Sequence, residues 1–277
     1  MSNQRFRNLH QESGILLLPN AWDAITARLI ESLGAKAIAT TSAGLAWSHG
    51  YPDGNDLPAD RLIAATRDIA RVIRVPLTVD IEAGYSEDPD EVARLVVRVL
   101  GAGAVGINIE DGAGPPDLLC KKIAAIRDHV AHSGEDLFIN ARTDVYLRGL
   151  ASGEGAIAET MRRAARYREA GCDGLFVPGL ATAEAMTAIS AAIEPTPLNV
   201  MAVPNLPAID TLQESGVRRL SAGSSIAQAA LGRTSQLVSA FLAGTMSELF
   251  EGSANYGAVN RLFEPVRPII PSSPTKA

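Results

Sequence analysis

The sequence predicts an α/β protein, a (β/α)8 TIM-type barrel, and three observations carry that expectation. Its 277 residues fall near the roughly 250 typical of such barrels as one unit. The composition is 47% hydrophobic but only 5% aromatic. Most of the apolar content is therefore Ala, Val, Ile and Leu, which suits helix backs and parallel strands buried on both faces. One pattern also repeats along the chain: a short apolar run, a polar cluster, an amphipathic stretch, then a Gly shortly before the next run.

Taken in order, the apolar runs are 15–18, 37–39, 77–79, 105–109, 137–139, 175–177, 198–200 and, more weakly, 217–220. Eight runs suggest a closed barrel. After the third run, Asp88 is placed to cap a helix, Pro89 fits the first helical position, and Asp90 and Glu91 oppose the positive end of the helix dipole. The apolar face Val92, Leu95, Val96, Val99 and Leu100 follows the 3.6-residue period, and Gly101 and Gly103 end the helix. Gly34, Gly103, Gly171 and Gly216 recur between helix and following strand, where a left-handed residue turns the chain back. Residues 1–264 read as one barrel domain. Residues 265–277, with four prolines and few apolar anchors, read as an extended or disordered tail.

The net charge of −6 is modest, and no basic run is interleaved with aromatics, so nucleic acid is excluded as a partner. Two cysteines, Cys120 and Cys172, make neither a Cys-x-x-Cys pair nor a disulfide framework. No stretch approaches ~18 uninterrupted apolar residues and no leader pattern is evident, so a soluble cytoplasmic protein is expected, with no membrane partner.

In a parallel barrel the site lies at the C-terminal ends of the strands. The residues there are Asn20, Trp22 and Asp23; Thr40, Thr41 and Ser42; Asp80 and Glu82; Glu110 and Asp111; Asn140, Arg142 and Asp144; and Asn199 in the seventh run. Acids at that density raise one another's pKa unless a divalent cation relieves the repulsion, and oxygen ligands suit Mg²⁺ or Mn²⁺. Asp23, Asp111 and Asp144 are expected to cap the helices that follow them; Asp80 and Glu82 have no such spacing. The Gly101-Ala-Gly-Ala-Val-Gly106 string fits a dinucleotide pattern but follows a helix and precedes a strand, the reverse of what phosphate binding needs. His129 and His132 read as helix-end histidines, and His49 as a contact near the site.

Five motifs in order, Thr41-Ser-Ala-Gly44, Tyr51-Pro-Asp53, Val79-Asp-Ile-Glu-Ala-Gly-Tyr85, Gly106-Ile-Asn-Ile-Glu-Asp111 and Asn140-Ala-Arg-Thr-Asp144, resemble those of the isocitrate lyase and phosphoenolpyruvate mutase superfamily. The resemblance implies that Asp80 coordinates Mg²⁺, with Glu82 and Glu110 holding it directly or through waters. It also implies a 2-oxo acid substrate whose carboxylate meets the backbone at Thr41, Ser42 and Ala43, and an Arg142 that stabilises the growing negative charge. Asp53 stands where the superfamily has an acid near the reacting centre; as part of Pro-Asp-Gly-Asn it reads equally as a turn former. Asn199 is expected to touch substrate. The resemblance further implies exchange of the last barrel helix, here 225–242, between paired subunits, and a dimer of dimers.

The departures are informative. The lyases' Lys-Lys/Arg-Cys-Gly-His loop is replaced by Gly112-Ala-Gly-Pro-Pro-Asp-Leu-Leu-Cys-Lys-Lys-Ile123, in which Cys120 belongs to the next helix, and the mutases' Asn-Ser pair is absent. Pro178-Gly179 stands where the lyases tend to have an acid. The leading expectation is a Mg²⁺-dependent lyase acting on a small 2-oxo or 2-hydroxy acid through an enolate, by C–C cleavage or formation or by decarboxylation. The alternatives are a phosphoenolpyruvate or carboxyphosphonoenolpyruvate mutase, and a non-catalytic barrel that binds a 2-oxo acid.

Overall fold

The structure is a computed structural model that describes residues 3–264. The tail expected at 265–277 lies outside the described residues. Nine parallel strands form one nearly closed sheet: β1 (Leu16–Leu18), β2 (Asn20–Ala21), β3 (Ile38–Thr40), β4 (Leu77–Asp80), β5 (Gly106–Glu110), β6 (Phe138–Arg142), β7 (Gly174–Phe176), β8 (Leu198–Met201) and β9 (Val217–Ser221). All eight expected runs are strands. The ninth, β2, lies beyond the first run, separated from β1 by Pro19, which has no N–H to give a ladder. β1 and β2 pair with β9 on one side and β3 on the other, so together they act as one strand that closes an eight-stranded barrel.

The helices are α1 (Asn3–Leu9), α2 (Ala24–Ser32), α3 (Ser42–Ser48), α4 (Ala59–Val72), α5 (Pro89–Gly101), α6 (Pro116–Ser133), α7 (Gly153–Ala170), α8 (Ala183–Ile193), α9 (Ile209–Glu214), α10 (Ser225–Leu242) and α11 (Tyr256–Arg261). Helix α5 begins as its sequence dictates: Asp88 accepts from Asp90 N at 2.9 Å and Pro89 is the first helical residue. The four recurrent glycines all have positive φ, between +81° and +110°. The chain separates into two compact units, Met1–Ser235, which holds the whole barrel, and Gln236–Ala277, which holds the end of α10, a 3₁₀ turn at Ser247–Phe250 and α11. No described helix is long and apolar enough to cross a membrane.

Two apolar clusters follow from the period of two along each strand. Outward residues such as Ile38, Leu77, Val79, Ile107, Ile139, Leu175 and Val200 pack against the helices. Inward residues at the strand starts, among them Leu16, Leu18, Ala37, Ala39 and Phe138, together with Val105 just before β5, close over Phe6 and Leu9 of α1, which plugs the bottom of the barrel. His10 completes this plug, stacked on Phe138 with 4.3 Å between ring centroids. Burial, with nearby Arg219 and Arg7, pushes its pKa down to about 3. His10 is therefore neutral in the folded chain, whereas the unfolded chain takes up its proton near pH 6.5. Stability contributed above pH 6.5 is lost as the pH falls from there towards 3. Thermal unfolding followed across that range is expected to show a flatter acid limb for His10→Phe than for the wild type.

Candidate active site

Alternation along the strands stacks the inward side chains in layers. Above the plug lies a polar layer: Asn108, Asn140, Asn199 and Arg219, all at most 3% exposed. Asn140 Nδ2 donates to Asn108 Oδ1 at 2.9 Å and to Asn199 Oδ1 at 3.0 Å, and Arg219 Nη2 donates to Asn108 Oδ1 at 3.0 Å. Two donors on Oδ1 fix the Asn108 amide, whose side chain in turn hydrogen-bonds Asp80. Asn199 is thus part of this floor: its Nδ2 donates to Val200 O at 2.7 Å, and it is 1% exposed. None of these residues except Asn140 and Asn199 was singled out from the sequence, although polar residues at alternate positions of a buried strand, as in Gly106-x-Asn108-x-Glu110, are the signal that marks them.

The next layer is the site. Asp80 ends β4, buried, with Oδ1 accepting from Glu82 N at 3.0 Å. Glu110 ends β5 and meets Arg142 Nη1 at 2.6 Å. Arg142 ends β6 and is held in plane by Asp144, through Nε at 2.7 Å and Nη2 at 3.1 Å, and by the Phe176 ring 5.8 Å from its guanidinium carbon. Burial pushes the carboxyls of Asp80 and Glu82 up. Burial also lifts Glu110 to about 8; Arg142 opposes that rise, and Asp80, Asp144 and Glu82 add to it. Burial alone would lower the pKa of Arg142, but Glu110, Asp144 and Asp80 outweigh it and hold the guanidinium charged.

Glu82 sits at φ +52°, and its carboxylate clasps the neighbouring loop. Oε2 accepts from Gly54 N at 3.0 Å and from Asn55 N, and Oε1 accepts from Tyr85 Oη at 2.9 Å. Asn55 Oδ1 returns the contact, accepting from Ala83 N at 3.1 Å. This clasp brings the exposed Asp53, on the same loop, close enough to Asp80 and Glu82 to oppose their ionisation. Thr41 caps α3, with Gly44 N donating to its Oγ1, and leaves the amides of Ser42 and Ala43 in the first helical turn. A Cβ at Gly44 would lie 2.7 Å from Thr41 Cγ2 and 2.8 Å from Trp22 Cβ, which is why glycine stands there.

Of the three acids expected to cap helices, Asp23 does so in a capping box with Thr26. Asp111 and Asp144 do not, and that expectation is corrected. Asp111 accepts from Asp144 N at 3.0 Å, from Arg163 Nη1 at 2.7 Å and from Tyr167 Oη, while Asp144 holds Arg142 and Arg148. Both acids are tertiary ties because cations from α7 and the rim reach them before any helix amide does. His49 bonds only its own helix, at Leu45 O and Ser48 Oγ. Cys120 lies within α6, packed against the core, its thiol pushed up by burial.

Among the described residues, no three of His, Cys, Asp and Glu stand together so as to hold an ion by direct bonds alone. The donor set fits Mg²⁺, which keeps several waters and needs only one or two carboxylates. Asp80 is the group placed to bind directly, Glu82 has both oxygens engaged and would act through water, and Glu110 shares its charge with Arg142. Acids that raise one another's pKa are the arrangement a divalent ion relieves.

Fold and site together define a (β/α)8-type barrel with an acidic, oxygen-rich cluster facing one fixed arginine at the strand ends. The chain belongs to the phosphoenolpyruvate phosphomutase family, whose profile matches residues 6–242. It is 38% identical over 224 residues to an uncharacterized protein of Mycobacterium tuberculosis H37Rv, covering 79% of this chain and 81% of that one. It is 32% identical over 192 residues to the 2-methylisocitrate lyase of Aeropyrum pernix, covering 64% of this chain and 58% of that one. A solved structure from Burkholderia cenocepacia J2315, described as a candidate lyase/mutase, superposes with a TM-score of 0.86 at 32% identity, covering 95% and 96% of the two chains.

Proposed function

We propose that the chain is a Mg²⁺-dependent lyase that breaks or forms a bond next to a 2-oxo acid through an enolate. The observation that carries this reading is the cluster of Asp80, Glu82 and Glu110 at adjoining strand ends, with Arg142 facing it. Mg²⁺, or Mn²⁺, held by Asp80 and through water by Glu82 and Glu110, would supply Lewis-acid stabilisation of charge on the 2-oxo group. Arg142 adds a positive charge that is fixed in plane and cannot be lost by deprotonation. The amides of Ser42 and Ala43 receive the substrate carboxylate; that of Thr41 is spent on Ala21 O at 3.0 Å, so Thr41 contributes by capping the turn that presents them, and Asp53, brought near the centre by the Glu82 clasp, steers substrate or moves a proton. Turnover with Mg²⁺ on a panel of 2-oxo and 2-hydroxy acids tests this. Release of pyruvate or glyoxylate supports it; a new phosphorus species from phosphonopyruvate would indicate a mutase, and saturable binding without turnover a metabolite-binding barrel.

The same reading includes assembly by helix exchange. Leu17 of β1 is 54% exposed on the outer wall, and with Leu29, Leu33 and Ile226 it lines an apolar groove of about 580 Å³. Up to Ser235, Ala227 is the one buried residue of α10, while Ile226 and Leu231 are exposed. The α10 helix of a second copy fills that groove in this reading. Light scattering at micromolar concentration is expected to show a dimer or tetramer, and a monomer would remove it.

A further inference from the structure

The inward residues at the strand ends divide the mouth of the barrel into two unlike halves. From β2 to β6 they are Asn20, Thr41, Asp80, Glu110 and Arg142, of which Asp80, Glu110 and Arg142 are the groups the reading above gives to an ion and a charged head. From β7 to β9 the same layer carries Phe176, Met201 and Ser221. Phe176 is in register with Arg142, and Met201 lies one inward step above Asn199, in register with Ser221. The segments that leave these strands, Val177-Pro-Gly-Leu180, Ala202-Val-Pro-Asn-Leu206 and Ala222-Gly223, contain no ionisable side chain. Their polar backbone is partly spent as well: Ala222 N and Gly223 N both donate to Asn20 Oδ1 at 2.9 Å.

Charge points the same way. Arg142 is bound to Asp144 and Glu110, Arg148 to Asp144, and Arg163 to Asp111 and Glu159. Arg219 lies in the layer below, 1% exposed, donating to Asn108. The Nε and Nη1 of Arg219 have no hydrogen-bond partner, but they are sealed in that lower layer, so among the described residues a divalent ion offsets the acids of the site without any cation being presented at the β7–β9 wall itself. A carboxylate desolvated against Phe176 and Met201 without a partner is strongly disfavoured, whereas an alkyl group there gains from burial.

Resting on the 2-oxo acid reading above, we infer that the substrate has a single charged head, held on the β2–β6 side, and an uncharged apolar tail packed against Phe176 and Met201, which set this specificity. Di- and tricarboxylates with a charged far end are excluded by the same wall.

The test uses 2-oxopentanoate and 2-oxoglutarate, which share the 2-oxo acid head and differ at the far end by a methyl against a carboxylate. Each is titrated calorimetrically into the full chain in saturating MgCl₂, with oxalate as a head-only reference. The expected result is that 2-oxopentanoate binds at least about ten-fold tighter than 2-oxoglutarate. Met201→Lys, whose stem can lie along the half-buried wall while its ammonium reaches the site, is expected to close or reverse that gap, and Met201→Leu to keep it. If oxalate binds but 2-oxoglutarate equals or exceeds 2-oxopentanoate, the inference is overturned and the site reading stands. An unchanged ratio in a folded Met201→Lys variant also overturns it. If no ligand binds, oxalate included, both the reading and the inference fall.

Discussion

Replacing Arg142 with Ala is expected to destabilise the barrel by about 3–5 kcal/mol, because Asp144 is fully buried and would be left with a charge that only the half-exposed Arg148 meets. The pair is a buried one and not a surface pair: the Asp144 side chain is 0% exposed and that of Arg142 16%. Arg142→Lys separates structure from chemistry. Lysine keeps the charge, but it cannot hold Asp144 with two parallel bonds while a third nitrogen reaches Glu110. The Lys variant is expected to fold, and to lose about one to three orders of magnitude in turnover on whichever 2-oxo acid is processed. Thermal midpoints and turnover measured on both variants decide the matter. A Lys variant with wild-type turnover would show that Arg142 only orders the rim.

Asp80→Ala carries the second large effect, with the opposite balance. Burial disfavours this carboxylate, but Arg142 favours it, and it is the charge that offsets the buried Arg219 below, so its removal opens no cavity in the apolar core yet leaves Arg219 less compensated. The variant is expected to fold, with a loss of stability smaller than that of Arg142→Ala. Its Mg²⁺-dependent oxalate binding should fall by more than the roughly 10–100-fold that loss of an outer-shell partner costs. Calorimetry and thermal unfolding on one preparation read both quantities, and normal binding of metal and oxalate would remove Asp80 from the centre.

The strands were legible because apolar runs bounded by glycine and polar clusters have few other ways to be buried. β2 was the exception: Asn20–Ala21 extends the first strand beyond its apolar run, across Pro19, whose missing N–H interrupts the ladder, a local detail that hydropathy does not carry. The rim acids were legible by position after each run. Their partners were not: Asp111 reaches Arg163 and Tyr167, 52 and 56 residues away, and separations of that size are set only when α7 docks. Arg219 was hidden for a related reason. In the sequence it sits beside Arg218, an ordinary surface pair to the eye, and only the alternation of β9 sends one outward and buries the other under Asp80.

The central claim, a 2-oxo acid centre that works through a divalent ion, is tested most directly by titrating oxalate into the wild-type chain with and without Mg²⁺. Oxalate presents the two adjacent oxygens of a 2-oxo acid enolate and cannot react further. Saturable binding in Mg²⁺ that disappears on chelation is the predicted result. Equal affinity with and without Mg²⁺ would contradict the account.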